Sequence, residues 1–233
     1  MVRLGNFLFH YRNALFPAAF LLLLWQVHPV FASPLAAAAL GLAVAGLGQL
    51  LRAVTIGLAY IIRGGRHRQV YAEDLVTDGL FAHCRNPLYD GNLLILLGLG
   101  LAANSLLFLA VGMPFFLLAY RAIVAAEEHF LRNKFGAPYN DYCKRVPRFL
   151  PRLAGLRATL RSMEFNWSRL VAKEYGSAFA WMAGFLLVVG KNLRAAGRPW
   201  SDPALVSGAV ALGALTVAYL LARWLKKSGR LKG

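Results

Sequence analysis

The sequence is poor in charged residues, and acidic residues are the scarcest of them. Of 233 residues, 15% are charged, and 10 are Asp or Glu against 26 Lys and Arg. Soluble domains average about 25% charged and about 45–50% apolar residues, whereas 58% of this chain is hydrophobic. The mean hydropathy of +0.52 points the same way. These values exclude an ordinary soluble domain and indicate an integral membrane protein.

Cysteine and metal-binding spacings are scarce as well. The two cysteines, Cys84 and Cys143, lie in basic connecting segments and are too few for a disulfide framework. The sequence contains neither paired-Cys spacing nor a His-Glu-x-x-His motif. We therefore predict free thiols in a reducing compartment and no metal site.

The net charge of +16 would suggest nucleic-acid binding in a soluble chain. Here the basic residues stand between apolar stretches, where topology control and anionic lipid headgroups explain them equally well. We predict a bilayer with anionic lipid as a partner and no nucleic acid.

Apolar runs divide the chain into candidate spans, each needing about 20 residues. The runs cover 14–32, 35–62, 91–120, 175–190 and 203–222. The first run could instead be a signal peptide, because Phe31-Ala32-Ser33 resembles a cleavage site, but a second apolar run follows at once and favours a retained span. In the second run, Gly41, Gly46 and Gly48 predict close helix approach. Arg52 is interpreted as a snorkelling residue near the end of that span.

The run 91–120 is too long for one span, since thirty helical residues measure about 45 Å against a hydrocarbon core of about 30 Å. Both flanks are rich in Arg and Lys, which places both on the cytoplasmic side. We therefore predict a helical hairpin that turns near Asn104. The fold class follows: an all-α, polytopic transmembrane helix bundle of six spans, with a cytoplasmic cofactor-binding segment.

Four regions are predicted: N-terminal transmembrane helices at 1–62, a core at 63–151, an amphipathic interfacial helix at 152–174, and a C-terminal transmembrane pair at 175–233. The interfacial helix is predicted because apolar residues recur at steps of three and four, with basic residues off that face. A helix packed on the protein's own cytoplasmic surface is the alternative. The apolar positions are Leu153, Leu156, Leu160, Met163, Trp167 and Leu170.

Two polar blocks hold residues that lipid-facing segments do not need. The first runs from Gly79 to Gly91 and contains Cys84-Arg85-Asn86-Pro87-Leu88-Tyr89, leading into Gly98-Leu99-Gly100. The second contains Glu127-Glu128-His129, Phe135-Gly136, Tyr139, Tyr142 and Pro147-Arg148-Phe149-Leu150-Pro151. In order and spacing, these blocks resemble the integral-membrane methyltransferases related to isoprenylcysteine carboxyl methyltransferase and phospholipid N-methyltransferase. The resemblance covers about 75–151.

The resemblance implies methyl transfer from S-adenosylmethionine (SAM) to a lipid-like or isoprenoid acceptor, at a site facing the cytoplasm. We predict that the membrane is a bacterial inner membrane. The residues it assigns to the cofactor are Arg85, Asn86, Tyr89, Gly98, Gly100, Glu127, Glu128, Tyr139 and Tyr142. Their chemistry agrees, because Arg can bind a carboxylate bidentately and carboxylates can accept from ribose hydroxyls or an ammonium. Asn86 stands where many members have His, and Leu80-Phe81 replaces Pro-Tyr. Since Asn does not titrate, an acid–base role at position 86 is in doubt.

Each element has a plainer interpretation when taken alone. Glu128 and Arg132 form an i,i+4 pair, and Gly98 with Gly100 is typical of helix packing in lipid. Among functions, a nicotinamide-dependent lipid or sterol reductase is the alternative enzyme. A helical membrane scaffold or transporter subunit is the non-enzymatic alternative.

Overall fold

The computed structural model describes residues 1–25, 29–59 and 72–231, and this part of the chain folds into a bundle of eight α-helices. The all-α prediction is therefore confirmed. The helices are α1 (Val2–Phe20), α2 (Pro34–Leu58), α3 (Pro87–Ala102), α4 (Met113–Phe135), α5 (Ala137–Arg145), α6 (Leu156–Ser162), α7 (Trp167–Ala195) and α8 (Pro203–Lys227).

Four helical segments in the described residues are long and apolar enough to cross a membrane. They are α2, α7, α8 and the continuous segment Phe108–Phe135, in which a π-helical turn at Phe108–Gly112 leads directly into α4. The 16-residue α3 is apolar but shorter. These helices confirm an integral membrane protein.

The boundaries predicted for the first span are wrong. The apolar run at 14–32 predicts a helix there, but α1 begins at Val2, and after it ends a 3₁₀ turn covers Leu21–Leu23. Arg3 and Arg12 lower the hydropathy of the N-terminal half, yet arginine is a good helix former, so the helix includes them. α1 packs along α4. The second helix ends at Leu58, and residues 60–62 of its predicted run lie outside the described residues.

Glycines allow α2 and α3 to form the most extensive helix–helix contact among the described residues. Close approach is confirmed at two of the three glycines for which it was predicted. A Cβ at Gly41 would lie 2.5 Å from the Gly98 carbonyl oxygen, and one at Gly48 would lie 2.6 Å from that of Gly91. Gly46 faces open space. Small residues at this interface therefore set the distance between the two backbones.

The hairpin turn predicted at Asn104 is confirmed. Asn104 adopts a positive φ of 52°, a left-handed conformation that Asn tolerates better than most residues. Its side-chain oxygen accepts hydrogen bonds from the N–H groups of Val30 and Phe31, and its amide donates to the Phe31 carbonyl. The link between α1 and α2 therefore holds the turn. Beyond the turn, α4 continues past Tyr120 to Phe135 and carries the two adjacent glutamates.

The prediction of one helix across 152–174 is wrong in its continuity. α6 ends at Ser162, Met163 is extended, and α7 begins at Trp167 after an N-cap hydrogen bond from Arg169 N–H to the Asn166 side chain. Phe165 packs against Gly57, and the Asn166 N–H donates to the Gly57 carbonyl over 2.9 Å, so this non-helical segment is held against the end of α2. α7 therefore starts inside the segment predicted to lie in the interface.

α7 packs against α2, α3 and α8. It is longer than the apolar run predicted at 175–190, because it begins at Trp167 and also includes Lys191 and Arg194. α8 contains no buried residue and packs mainly on α7. α7 thus covers one side of the α2–α3 unit, and α8 packs on α7.

Candidate functional site

A buried carboxylate in the C-terminal part of α4 lies close to three arginines. Glu128 is 1% exposed and lies 2.8 Å from Arg85 Nη1 and 2.6 Å from Arg148 Nη2, with Arg132 at 3.7 Å. The hydrogen bond to Glu128 raises the pKa of Arg148. Because Arg85 precedes α3 and Arg148 follows α5, Glu128 ties both predicted motif blocks together. We call these four residues the arginine cluster.

A network of hydrogen bonds aligns the two loops that carry those arginines. Arg85 N–H donates to the Pro147 carbonyl over 2.9 Å, and the Asn86 amide donates to the Arg148 carbonyl over 3.0 Å. The Cys84 thiol donates to Asp90, and burial raises the pKa of this thiol. The loop before α3 is therefore held against the loop after α5 by backbone and side-chain contacts together.

The next residue on α4 faces a different environment. Glu127 is buried, accepts a 2.8 Å hydrogen bond from the Tyr89 hydroxyl, and lines a cavity of about 400 Å³ together with Asn86 and Tyr89. We call this the polar cavity. Its wall also includes Phe9, Arg12, Arg52, Ile56, Phe81, Leu88, Asn92, Lys173, Glu174 and Ser177. Its volume lies within the range of about 300–1,000 Å³ typical of ligand sites.

The polar cavity thus brings together three of the nine predicted cofactor residues: Asn86, Tyr89 and Glu127. Arg85 and Glu128 belong to the arginine cluster, and neither is among the described residues that line the polar cavity. Within the described residues the Arg85 Nε atom is buried and has no hydrogen-bond partner, whereas its Nη1 donates to Cys143 Sγ over 2.9 Å.

The other four predicted residues lie in packing positions. A Cβ at Gly98 would lie 2.5 Å from Ala45 N, and one at Gly100 would lie 2.6 Å from the Phe108 ring. Tyr139 and Tyr142 are buried in a small hydrophobic cluster around α5, and the Tyr142 hydroxyl donates to the Phe81 carbonyl over 2.7 Å. Within the described residues, the wall of the polar cavity includes none of these four.

Sequence reasoning missed a buried ion pair inside the bundle. Arg52 donates to both carboxylate oxygens of Glu174, from Nε over 2.7 Å and from Nη2 over 2.6 Å, and its Nη1 donates to Asn92. Its side chain is 11% exposed, so the snorkelling interpretation of Arg52 is wrong. We call Arg52, Asn92 and Glu174 the junction cluster. The available signal was that an arginine within an apolar run needs an acidic partner, and Glu174 directly precedes another apolar run.

A second cavity adjoins the first at this cluster. It measures about 520 Å³ and is lined mainly by apolar side chains of the α1 end, α3 and α7. Arg52, Asn92 and Ser177 line both cavities. We call the second one the apolar cavity. The site therefore consists of a polar and an apolar compartment that meet at a charged side chain.

Among the described residues, no three His, Cys, Asp or Glu side chains are grouped so that they could hold a metal ion.

The chain resembles known proteins over its central part. Residues 35–138 match the family described as phospholipid methyltransferase. A nickel-cobalt-cadmium resistance protein of Alcaligenes xylosoxydans xylosoxydans is 33% identical over 134 residues, 58% of this chain and 57% of that protein. A cobalt-zinc-cadmium resistance protein of Cupriavidus metallidurans is 44% identical over 80 residues, 34% of this chain and 37% of that protein.

A protein-S-isoprenylcysteine O-methyltransferase of Schizosaccharomyces pombe is 33% identical over 114 residues, 45% of each chain. The matches therefore span between 37% and 57% of the length of these three relatives. No solved structure matches the chain significantly.

Proposed function

We propose that this chain, a member of the integral-membrane methyltransferases, transfers a methyl group from SAM to a lipid-like or isoprenoid acceptor. We place the reaction at the cytoplasmic face of a bacterial inner membrane, because the segments around the polar cavity carry the Arg and Lys excess that marks that side. The observation that carries the proposal is the polar cavity, lined by Glu127, Tyr89 and Asn86, meeting an apolar cavity inside the bundle.

The residues of the polar cavity suit SAM, which carries an ammonium, a carboxylate, ribose hydroxyls, an adenine and a sulfonium. Glu127 can accept hydrogen bonds from the ribose hydroxyls or the ammonium, and Arg12 or Lys173 can pair with the carboxylate. The face of Tyr89 can meet a cation. When bound, SAM supplies an electrophilic methyl group on a positively charged sulfur.

The remaining role of the chain is to orient the reactants and keep water out. The Tyr89 hydroxyl fixes the Glu127 carboxylate, and the arginine cluster fixes the loop that presents Asn86. Asn86 does not titrate and donates to the Arg148 carbonyl, so we assign it a positioning role. Alignment of donor and acceptor supplies most of the rate in such a transfer.

Substitution of Glu127 tests the cofactor assignment. We expect Glu127→Gln to weaken SAM binding at least tenfold in calorimetric titration of the purified protein, because a desolvated hydrogen bond to charge is lost. The matched control is Glu164→Gln, the same chemical change at an exposed position outside the cavity, which should leave the affinity unchanged. Unchanged affinity in a folded Glu127→Gln protein would contradict the assignment. Equal affinity for a nicotinamide dinucleotide would favour the reductase.

The acceptor can be found by incubating the protein with methyl-labelled SAM and a bacterial lipid extract, followed by mass spectrometry of the extract. The expected result is a labelled amphiphile that Glu127→Gln protein forms more slowly. Label found only in SAM-derived small molecules would contradict methyl transfer to a lipid.

A further inference from the structure

Arg52 stands at the junction of the two cavities with part of its hydrogen-bonding capacity unused. A guanidinium has five N–H donors. Two of these N–H groups donate to Glu174 and one donates to Asn92. The other two N–H groups have no hydrogen-bond acceptor among the described residues. Since the side chain lines both cavities, these donors are available to a group at the junction.

Glu174 fixes the direction of the Arg52 guanidinium without using all of it. The carboxylate takes the Nε and Nη2 edge as a bidentate pair and also accepts from the Gln49 amide over 3.1 Å. Trp181 in turn donates to Gln49 over 2.6 Å. A chain of buried contacts from α7 to α2 therefore holds Arg52 in place, which lowers the ordering cost of binding a second anion.

The charges around the two cavities favour an anion. The charged side chains in their described walls are the cations Arg12, Arg52 and Lys173 and the carboxylates Glu127 and Glu174, while Tyr89 and Tyr120 are neutral. The walls therefore carry a surplus of one positive charge. SAM adds a further net positive charge, from a sulfonium and an ammonium against one carboxylate. An anionic group at the junction balances this surplus, whereas an ammonium group increases it.

The apolar cavity suits a hydrocarbon tail. Its wall includes Ile95, Leu96, Leu99 and Val188 in the interior, while Leu24 and Leu187 are more than half exposed at its rim. Leu187 lies on α7, which is long and apolar enough to span the membrane, so its exposed side chain faces lipid and this rim gives a path from the bilayer.

We propose that Arg52 binds the anionic end of the methyl acceptor at the junction of the two cavities, while the acceptor's hydrocarbon tail lies in the apolar cavity. The acceptor is then an amphiphile with a carboxylate or phosphate oxygen, and Glu174 is a positioning residue that acts through Arg52. Glu174 lies on α7, outside the residues that match the methyltransferase family, so α7 contributes to the acceptor site by positioning Arg52. This inference rests on the proposed function, because it assumes that the polar cavity holds the methyl donor.

The test is binding of photoactivatable amphiphiles in the absence of SAM, in nanodiscs of zwitterionic phosphatidylcholine. Three probes share one 16-carbon diazirine tail and end in a sulfonate, a hydroxyl or a trimethylammonium group. We expect the sulfonate probe to label the α3 and α7 peptides that line the apolar cavity roughly tenfold more strongly than the others, the effect of one charged hydrogen bond.

The informative variant is Arg52→Gln with Glu174→Gln, which removes both charges and leaves no uncompensated one. In this variant, the sulfonate probe should label the α3 and α7 peptides no more strongly than the hydroxyl probe does. Labelling by the hydroxyl probe should persist, which shows that the apolar cavity is intact in the variant. The matched control, Arg161→Gln with Glu164→Gln at exposed positions, should retain the sulfonate preference.

A sulfonate preference that survives in the Arg52/Glu174 variant, or a stronger signal from the trimethylammonium probe in the unmodified protein, would overturn the proposal. Because no SAM is present, these outcomes are independent of the SAM titration that tests the proposed function. The assignment of SAM to the polar cavity is therefore tested separately from the role of Arg52.

Discussion

At the scale of single residues, the adjacent glutamates of α4 occupy two different environments. Successive helical positions are about 100° apart, so they do not face each other or the same neighbour. Glu127 faces the polar cavity and Glu128 faces the arginine cluster. The pair therefore combines a carboxylate that lines a cavity with one that pairs with buried arginines, a division that the motif alone does not reveal.

Glu128→Gln should mainly destabilise the fold. The substitution leaves Arg85 and Arg148 without their buried counter-charge, at a cost of roughly 3 kcal/mol, near the low end for a buried pair because Arg148 is partly solvated. Thermal unfolding in detergent should show a clearly lower midpoint for Glu128→Gln, whereas Glu127→Gln should shift it little. Equal midpoints for the two variants would contradict this division.

At the scale of helices, the contact between α2 and α3 depends on glycine at several positions. Gly98→Ala places a methyl group 2.5 Å from backbone atoms of α2, so the helices must separate. We expect a loss of about 1–3 kcal/mol, the usual cost of overpacking. The thermal midpoint of the detergent-solubilised protein measures it.

Gly46→Ala is the control for that experiment. It lies on the same helix pair but its Cβ meets open space, so it should be neutral or slightly stabilising. If folded Gly98→Ala protein kept its stability and lost only SAM affinity, Gly98 would have the cofactor role that the motif assigns to it.

The segments before and after α6 expose apolar side chains on the protein surface. Leu150, Leu153 and Trp167 are each at least 70% exposed, which suits contact with the membrane interface. His83 bonds to the Arg152 carbonyl and the Thr159 hydroxyl, and this fixes the segment over the loop before α3. α6 is shorter than the helix predicted at 152–174. That this segment lies in the membrane interface remains a prediction.

Arg157→Gln with Arg161→Gln should lower methyl transfer in anionic liposomes and leave it unchanged in neutral detergent. Each basic residue near an anionic leaflet contributes about 1 kcal/mol, so two together matter only when anionic lipid is present. Incorporation of label from methyl-labelled SAM measures both conditions. An equal loss in the two settings would show that these arginines support the fold.

At the scale of the whole molecule, contacts within the bundle unite both polar blocks on one side. The Arg85–Glu128 ion pair requires that α3 and α4 return the chain to the same end, as the hairpin does. α7, at 29 residues and about 1.5 Å per residue, is long enough to place its two ends on opposite faces. The two cavities lie inside this arrangement, between α1, α2, α3, α4 and α7.

This topology can be measured with single cysteines introduced after Cys84 and Cys143 are replaced by serine. Lys144→Cys and Arg157→Cys should react with an impermeant maleimide in inside-out vesicles, and Arg198→Cys should react only in right-side-out ones. These positions are exposed, so access depends on sidedness alone. Reaction of Lys144→Cys and Arg198→Cys from the same face would contradict the crossing of α7.

The sequence by itself determined the membrane class, the hairpin and the resemblance to the methyltransferases. Each depends on local information. The membrane class follows from hydropathy summed over a window of residues, the hairpin from the charges at the ends of an apolar run, and the resemblance from motif residues at fixed spacing. The hairpin is a clear case, because an apolar run too long for one span, with basic residues at both ends, predicts a turn near its middle, where Asn104 lies.

Tertiary structure alone decided how the polar residues share the site. Gly98 and Gly100 match a motif, but whether they face a ligand or a neighbouring helix depends on how α2, α3 and the hairpin pack. The Arg52–Glu174 pair joins residues 122 positions apart, and no local pattern reports such a distance. Buried charge is stable only beside its partner, and that partner is chosen by the fold of the whole bundle.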